Sequence, residues 1–427
     1  MDCSYVKFSS VSEVTKTNFS KLAASTFWSK GSEKELGIHR IHAYPAKFPA
    51  FITTKALSFA KFQGVKVNRI GDVFCGCGTV AFEARRNGIN FWGCDINPVA
   101  TLIAKVKSSA YDPAKLERYH AKIVADLARS SKTFELSERA LDRLDYWYTK
   151  KRFRDLARLR NAIQKNTPPG GRYRRFFLCA FSNILKPTSR WLTKSIKPQL
   201  DPLKRPSDVA RTFSQQVHAM IEASKKAGLR ERSQVEILTA NMLDVRPTSK
   251  VDMIVTSPPY VTSYEYADLH QLSSLWLGFA SDYRSLRKGS IGSTQHNLNF
   301  NRDIKHLNKT GARIVFSLFD RDEAIARSTA KYFLDMQAVA QRCFGLIRRS
   351  GIALFVIGNT EYKNVRVDNA SHLAEALLAS GFRSVQAAKR RMTGKILTPY
   401  RDSFGQFSGR RTGRHVYAEE FILIATK

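Results

Sequence analysis

The stretch VDMIVTSPPY, residues 251–260, combines residue types that can hold a polar group in a fixed place. An apolar strand ends there, and a serine, two prolines and a tyrosine follow. Prolines have no backbone N–H and fix their φ angles, so the carbonyls of Ser257 and Pro258 are held with no adjacent donor. The pattern predicts a site whose acceptors take hydrogens from a bound group.

A second candidate site is DVFCGCGT, residues 72–79, in which an acid ends a strand and glycines follow at positions 76 and 78. Glycine lets a backbone pass close under a ligand because it has no Cβ. Asp95 ends the next predicted strand, where an acid is suited to ribose hydroxyls. We therefore predict a nucleotide-like cofactor here, with an ordinary βαβ turn as the structural alternative.

Two features favour S-adenosylmethionine over NAD as this cofactor. Asp72 would repel a pyrophosphate but can bind the ammonium group of methionine. The helix that is predicted to begin at Thr79, with Thr79 as its cap and Gly88 as its stop, offers free N–H groups for the methionine carboxylate. In TANMLD, Asn241 or Asp244 is suited to the adenine amino group, and Asn241 is the preferred candidate.

The motifs DVFCGCGT, CDIN (94–97) and TSPPY (256–260), in that order, resemble those of the amino-methylating DNA methyltransferases. These enzymes modify exocyclic nitrogens of cytosine or adenine. YPAKFPAF (44–51), which lies upstream, is similar to a further cofactor-side motif of the family. Cys77 departs from the family pattern, which often has serine there, and a small residue is retained.

The resemblance covers residues 38–110 and 232–427 and implies a Rossmann-like α/β fold that depends on S-adenosylmethionine. The strand ends and the upstream motif would then bind the cofactor. Together with Asn241, the implied cofactor-binding residues are Tyr44, Lys47, Phe48, Asp72, Phe74, Gly76, Gly78, Thr79, Asp95 and Asn97.

The resemblance also gives the proline bend a catalytic role. The Ser257 hydroxyl and the Pro258 carbonyl would accept the hydrogens of the target amino group, Pro259 would keep the bend rigid, and Tyr260 would stack on a base flipped out of the duplex. Catalysis would be positioning for a direct in-line transfer. No cysteine follows a proline in the manner of a carbon-5 nucleophile, which argues against carbon-5 methylation.

The serine at position 257 bears on the target base. Within the resembled family, serine is more frequent in the cytosine-N4 group, so cytosine N4 is preferred and adenine N6 is the alternative. An RNA guanine amino-methyltransferase is a further alternative, which Ser257 argues against. A third alternative is a catalytically inactive nucleic-acid-binding protein, which the intact motifs disfavour.

Charge points to the same kind of partner. The 427 residues include 70 Lys and Arg against 36 Asp and Glu, a net charge of +34, which favours a polyanion such as double-stranded DNA. A cognate restriction endonuclease is a further expected partner. The cysteines are scattered, no apolar run approaches ~18 residues, and no signal-peptide pattern is present. These features predict a cytoplasmic, nucleoid-associated protein without membrane segments.

The elements that position these residues are predicted from apolar patterns. Strands are expected at 69–74, 90–95, 234–239, 251–256, 351–358, 382–387 and 420–426, with a long helix over 321–348. The fold class is thus α/β, a sheet of about seven strands with the last one antiparallel, interrupted by a basic helical insertion.

Three segments follow from this pattern: 1–110 as the cofactor half, 111–231 as the basic insertion, and 232–427 as the catalytic half. Within the insertion, 189–206 is predicted to be a basic loop because prolines break it. Residues 261–279 are expected to line the base pocket, with Tyr264 and Tyr266 as candidates for stacking. The cationic stretches 389–395 and 409–415 are expected at phosphates.

Overall fold

The computed structural model describes most of the chain. The described residues are 5–32, 34–45, 47–129, 131–132, 134–230, 233–247, 249–261, 266–292, 298–390, 400–401, 407–408, 414–415 and 419–427.

Eight strands form one central sheet in the spatial order β1-β7-β8-β6-β5-β2-β3-β4. Strands β2 to β6 run parallel to one another, β8 is antiparallel to both β6 and β7, and β1 pairs antiparallel with β7. Their bounds are β1 Val6–Phe8, β2 Arg69–Asp72, β3 Asn90–Asp95, β4 Val235–Thr239, β5 Val251–Thr256, β6 Ile347–Gly358, β7 Ser384–Arg390 and β8 Glu420–Thr426.

The α-helices cover both faces of this sheet. They are α1 Val11–Lys16, α2 Ala50–Phe62, α3 Thr79–Arg86, α4 Pro98–Lys107, α5 Pro113–Arg129, α6 Glu138–Trp147, α7 Lys150–Asn166, α8 Arg172–Ile184, α9 Val209–Lys225, α10 Tyr266–Leu269, α11 Gln271–Trp276, α12 Phe300–Asp303, α13 Lys309–Phe319, α14 Glu323–Leu346 and α15 Asn369–Ala379. No helix among the described residues is both long and apolar enough to cross a bilayer.

The order of the strands creates a crevice. The chain builds β2, β3 and β4 outward in one direction and then returns, so that β5 pairs with the other side of β2. In open parallel sheets, ligands bind outside the carboxyl ends of the strands at such a reversal. The residues at the ends of β2 and β5 are Asp72 and Thr256, the two points where the predicted motifs begin.

The helices of segment 111–231 pack on the sheet through α4. Leu102 and Ile103 of α4 share one buried apolar cluster with Trp147, Phe177 and other residues of α5 to α9. Residues 189–206 form no helix, as predicted, and a single β-bridge joins Trp191 to Leu200. The division of the chain into three domains remains a prediction.

The structure confirms the predicted α/β class with its antiparallel last strand. Strands β3, β5 and β8 have the predicted bounds. Strand β6 begins four residues earlier than predicted, and the edge strand β1 was not predicted. The predicted cap of α3 is wrong: Gly78 is the N-cap and Thr79 is the first helical residue, because a left-handed φ of 76° at the cap suits glycine.

Candidate active site

The turn between β2 and α3 depends on its two glycines. Gly76 and Gly78 have φ angles of 46° and 76°, in the left-handed region. A Cβ on Gly78 would lie 2.6 Å from the Cα of Ala104, so only glycine lets the turn pack on α4. A Cβ on Gly76 would meet nothing closer than the Tyr44 ring at 3.7 Å, so this backbone faces a more open space.

Two buried acids lie at this turn. Asp72 Oδ1 accepts hydrogen bonds from Thr256 Oγ1 at 2.6 Å and from the Phe74 N–H at 3.1 Å, and no described residue donates to its Oδ2. The two oxygens of Asp95 accept from the Gly76 N–H at 2.9 Å and the Asn97 N–H at 2.8 Å. Asp95 therefore holds the turn in place and keeps a lone pair on each oxygen.

Burial sets the protonation of both acids. It raises the pKa of Asp72 to about 7, opposed by the Thr256 and Phe74 donors and assisted by the nearby Asp95. Burial likewise raises the pKa of Asp95 to about 6, opposed by the N–H groups of Asn97 and Gly76. Neither acid forms an ion pair with a described residue. A site with two desolvated acids and no cation fits a positively charged ligand.

The proline bend begins beside the glycine turn. The 2.6 Å hydrogen bond from Thr256 to Asp72 joins the end of β5 to the end of β2. The next hydroxyl, Ser257 Oγ, donates to the Val356 carbonyl at 2.9 Å. Because this bond uses the hydroxyl proton, the remaining lone pairs of Ser257 can only accept. Pro258 is buried and Ser257 is half-buried at the mouth of the crevice.

Tyr260 is fixed at both ends. A Cβ on Gly358 would lie 3.0 Å from Tyr260 Cε2, so the absence of a side chain at 358 makes room for the ring. Its hydroxyl donates to Glu420 Oε1 at 3.3 Å. Burial and the charge of Glu420 raise the pKa of Tyr260, which keeps the phenol protonated as a donor. Arg390 in turn pairs with Glu420. Stacking of Tyr260 on a base remains a prediction.

The side-chain oxygen of each predicted asparagine accepts from the backbone of its own turn. Asn97 Oδ1 caps α4 by accepting from the N–H groups of Val99 and Ala100, while its buried Nδ2 has no partner among the described residues. Asn241 Nδ2 donates to the Gly289 carbonyl at 3.1 Å. Asn241 Oδ1 accepts from the Leu243 N–H, so one lone pair is left for a ligand.

The residues of the upstream motif YPAKFPAF lie in different environments. The Tyr44 ring lies next to Gly76. The ammonium of Lys47 donates to Glu35 at 2.6 Å and to the His39 carbonyl at 3.2 Å, so protein groups hold it. Phe48 packs on an apolar cluster with α2 and α3, and Phe74 packs on the cluster of the opposite sheet face. The structure thus brings Tyr44 to the turn and anchors Lys47 nearby.

Sequence reasoning missed His270 and Glu420 as parts of this site. The His270 ring stacks on Tyr44 with centroids 5.1 Å apart, and Tyr266 stacks on the same ring at 6.5 Å. Burial lowers the pKa of His270 to about 4, so the ring is neutral at pH 7. Neither residue belongs to a motif, and no local signal marks it. Tyr264 and most of the stretches 389–395 and 409–415 lie outside the described residues.

The donor set of this crevice fits S-adenosylmethionine. The free Oδ2 of Asp72 suits a methionine ammonium group, and the buried Thr79 Oγ1 at the start of α3 has no partner among the described residues. The open backbone at Gly76 permits close approach. An unpaired acid next to a helix start matches a zwitterionic amino-acid group, with the positive end at Asp72 and the negative end at α3.

Comparison with known proteins gives relatives of one kind. A type II methyltransferase of Kocuria varians, M.MvaI, is 23% identical over 371 residues, which cover 78% of this chain and 79% of the relative. M.AvaI of Nostoc sp., also a type II methyltransferase, is 21% identical over 72% of this chain and 71% of its own length. M.MjaII of Methanocaldococcus jannaschii, a third, is 35% identical over 29% of this chain and 23% of the relative.

No family model matches the chain. Among solved structures, the rRNA methyltransferase aviRa of Streptomyces viridochromogenes aligns over 96% of this chain and 93% of its own, with a TM-score of 0.29 and 8% identity, which is too low to bear on function. The fold described above is an open, mostly parallel α/β sheet with a crevice at the carboxyl ends of its strands. The relatives support the DNA methyltransferase family for this chain, which confirms the family that the motif order predicted.

Proposed function

We propose that this chain is an S-adenosylmethionine-dependent DNA methyltransferase that modifies an exocyclic amino group, with cytosine N4 as the target and adenine N6 as the alternative. The observation that carries the proposal is the 2.6 Å hydrogen bond between Thr256 and Asp72. It sets the acceptors of the proline bend directly beside the acid that suits the donor's ammonium group. The type II relatives support methylation of DNA as the reaction class.

The crevice would hold the methyl donor through its buried polar groups. Asp72 would bind the ammonium, the N–H groups at the start of α3 would face the carboxylate, and the free lone pairs of Asp95 would accept the ribose hydroxyls. Asn241 would face the adenine. Bound there, S-adenosylmethionine supplies an electrophilic methyl group on its sulfonium. The neutral rings of Tyr44 and His270 would exclude water from this end.

The proline bend would activate the target nitrogen. An exocyclic amino group is a poor nucleophile because its lone pair is delocalised into the base. Ser257 Oγ, whose proton is committed to the Val356 carbonyl, can only accept, and the Pro258 carbonyl has no neighbouring N–H to occupy it. Two fixed acceptors for the two amino hydrogens would leave the lone pair localised and aimed at the methyl group.

The base would enter the crevice by flipping out of the duplex, since the target atom cannot be reached inside the stack. Tyr260, held by Glu420 and by the space at Gly358, is a rigid surface for stacking. Serine at position 257 favours cytosine over adenine through the family resemblance. It also argues against guanine amino groups of RNA, the other substrate class for this chemistry.

The basic segment 111–231 would supply most of the grip on DNA. Its loop 189–206 exposes Lys194, Lys197 and Arg205, while Trp191 is buried and stacks on Trp147 with centroids 5.0 Å apart. A loop anchored by buried tryptophans and edged with cations suits phosphate contacts. A cognate restriction endonuclease is a further expected partner, by analogy with type II systems.

Nucleoside analysis tests the proposal. The chain is expressed in a host without DNA methylation, and its DNA is digested and measured by mass spectrometry. We expect N4-methylcytosine with the native chain and none with Ser257→Ala, because one of the two acceptors is lost. Ser317→Ala, an exposed serine on α13, is the matched control and retains the modification.

The possible outcomes separate the alternatives. N6-methyladenine alone would move the target to adenine and leave the mechanism unchanged. Modified nucleosides found only in RNA would refute DNA as the substrate. Tyr260→Phe keeps the ring but loses the bond to Glu420, so it should retain more activity than Tyr260→Ala if stacking is the role of this residue.

A further inference from the structure

A groove of about 330 Å³ lies at the opposite edge of the sheet, where the parallel strands begin. Asp252, near the start of β5, lines it, whereas Thr256, at the end of the same strand, contacts Asp72. Four steps along the strand separate them, roughly 13 Å at about 3.3 Å per step. The groove is therefore distinct from the candidate active site.

A bulge in β6 builds one wall of this groove. Val251 pairs with Ile347 and Met253 with Ile352, so two steps along β5 face five steps along β6. The three additional residues are Arg348, Arg349 and Ser350. Ser350 has a left-handed φ of 60°, which is unfavourable for a residue with a Cβ. A bulge at this point pushes two arginines out of the ladder, and bulges are frequent at functional sites.

The groove carries an excess of positive side chains. Lys66, Arg348, Arg349, Arg383 and Lys427 line it, and among the described residues Asp252 is the one acidic side chain in the lining. Arg348 pairs with Asp252 at 3.3 Å. The other oxygen of Asp252 accepts from the backbone N–H groups of residues 68 and 69 at 2.8 and 2.9 Å, so its charge is already compensated.

The other four cations form no ion pair with a described residue. Lys427 is held in place by donating to the Phe344 carbonyl at 2.6 Å and the Ile347 carbonyl at 3.0 Å, with its ammonium 4.1 Å from the centre of the Phe344 ring. Burial, with Lys250 and Arg349, lowers the pKa of Lys427, as expected in a positive field. Arg349 and Arg383 are exposed at the rim.

A buried amide marks the floor of the groove. Gln386 of β7 is only 9% exposed and lines the groove, and its Oε1 has no hydrogen-bond partner among the described residues. A buried acceptor without a donor is energetically unfavourable, because it has lost its hydrogen bonds to water without a replacement. A ligand that offers both an anionic group and a hydrogen-bond donor would satisfy the rim and the floor together.

We propose that this groove binds the phosphate group of a nucleotide, with Arg349 and Arg383 on the phosphate and Gln386 accepting from a hydroxyl or amino group of the ligand. The proposal is independent of the methyl-transfer site. Arginine binds phosphate through its planar array of N–H donors, which suits the two exposed arginines at the rim. The phosphate can come from a free nucleotide or from a nucleic-acid strand.

Calorimetric titration of the full chain with AMP and with inorganic phosphate tests the site. We expect both to bind saturably, with AMP tighter because its ribose and adenine carry donors beyond the phosphate group, which can reach Gln386 while the phosphate stays on the arginines. Arg349→Ala with Arg383→Ala should weaken both ligands by about tenfold per arginine, the loss expected for charge-assisted bonds. The control pair Lys115→Ala with Lys122→Ala, two exposed cations of helix α5, which contributes no residue to the groove, should leave both affinities unchanged.

Gln386→Leu tests the contribution of the groove floor to binding separately from that of the arginines at the rim. It should weaken AMP and leave inorganic phosphate unchanged, whereas a general loss of fold would abolish both and lower the melting temperature. Absence of saturable AMP binding, or equal losses in the arginine and lysine pairs, would overturn the proposal.

Displacement of bound AMP by a 5′-phosphorylated oligonucleotide identifies the source of the phosphate. Displacement assigns the groove to a nucleic-acid strand, and its absence assigns it to a free nucleotide. Methylation measured on the same variants keeps the two sites apart. We expect Arg349→Ala with Arg383→Ala to retain nucleoside modification, and Ser257→Ala to retain AMP binding.

Discussion

The two edges of the central sheet carry unbalanced charge of opposite sign. At the carboxyl edge, Asp72 and Asp95 are desolvated acids with no described cation beside them. At the amino edge, Arg349 and Arg383 lie at the rim of a groove where the acidic side chain among the described lining residues, Asp252, is already compensated. The same parallel strands thus begin at a site for an anion and end at a site for a cation. Ligand charge, more than pocket shape, distinguishes the two edges.

A matched pair of glycine substitutions gives the largest expected difference between the edges. Gly78→Ala puts a Cβ 2.5 Å from that of Ala104 at a φ of 76°, and we expect a loss of about 3 kcal/mol from strain and overpacking. Gly64→Ala, in the groove, has a φ of 71° and open space, so about 1 kcal/mol is expected. Urea denaturation measures both. Equal losses would mean that contact with α4 does not require Gly78.

Asp72→Asn tests the cation site at the carboxyl edge. The amide keeps the shape and can accept from Thr256, but the negative charge is lost. We expect S-adenosylmethionine to bind more weakly by about 2 kcal/mol, the range of a charged hydrogen bond. Asp320→Asn, an exposed acid directly after α13, is the control and should bind normally. Calorimetry provides the measurement, and unchanged affinity in Asp72→Asn would remove Asp72 from the cofactor site.

The raised pKa of Asp72 makes cofactor affinity and fold stability respond to pH in opposite directions. The folded pKa is about 7 and the unfolded value about 3.9, so the folded chain holds the extra proton between these values. The free energy of unfolding should fall as pH rises through this window. Affinity for a cationic ligand should rise by up to about tenfold per pH unit towards pH 7.

Asp72→Asn is the control for this pH dependence. It should flatten both profiles and leave only the smaller contribution of Asp95, whose pKa is about 6. Affinity that falls with rising pH in the native chain would contradict a cation at this edge.

Arg348→Ala should have the smallest effect. Its side chain is 55% exposed, and Asp252 would keep its two backbone N–H donors, so we expect at most about 0.5 kcal/mol in urea denaturation. AMP binding should weaken less than in Arg349→Ala, because Arg348 is already paired. A loss of AMP affinity equal to that of Arg349→Ala would mean that the ion pair opens on binding.

The strands whose bounds the sequence predicted most accurately are those buried on both faces of the sheet. Strand β5 is buried at every position, and its apolar run ends at the first polar site residue. Strand β6 was predicted to start too late, because residues 348–350 of its bulge are polar and exposed. Edge strand β1 has three residues, too few for a pattern. Apolar runs indicate which residues are buried. They do not predict the bounds of a strand where it extends beyond the core.

The sequence motifs predicted which residues belong to the site, but not which of them contact one another. The acids at the ends of β2 and β3 follow from the order of strands and turns. The bonds that orient them do not, because Thr256 lies 184 residues from Asp72 and Glu420 lies 160 residues from Tyr260. The stacking of His270 on Tyr44 likewise joins two residues that are far apart in the sequence. Such pairs depend on which strand ends meet, which is fixed only when the sheet is complete.

The position of β8 has a consequence for biosynthesis. This strand, Glu420–Thr426, inserts between β6 and β7, and both neighbours are made earlier on the ribosome. Until residue 426 leaves the exit tunnel, β6 and β7 keep open edges and Tyr260 lacks its acceptor at Glu420. A nascent chain stopped before residue 420 would therefore expose the edges of two apolar strands and be prone to aggregation.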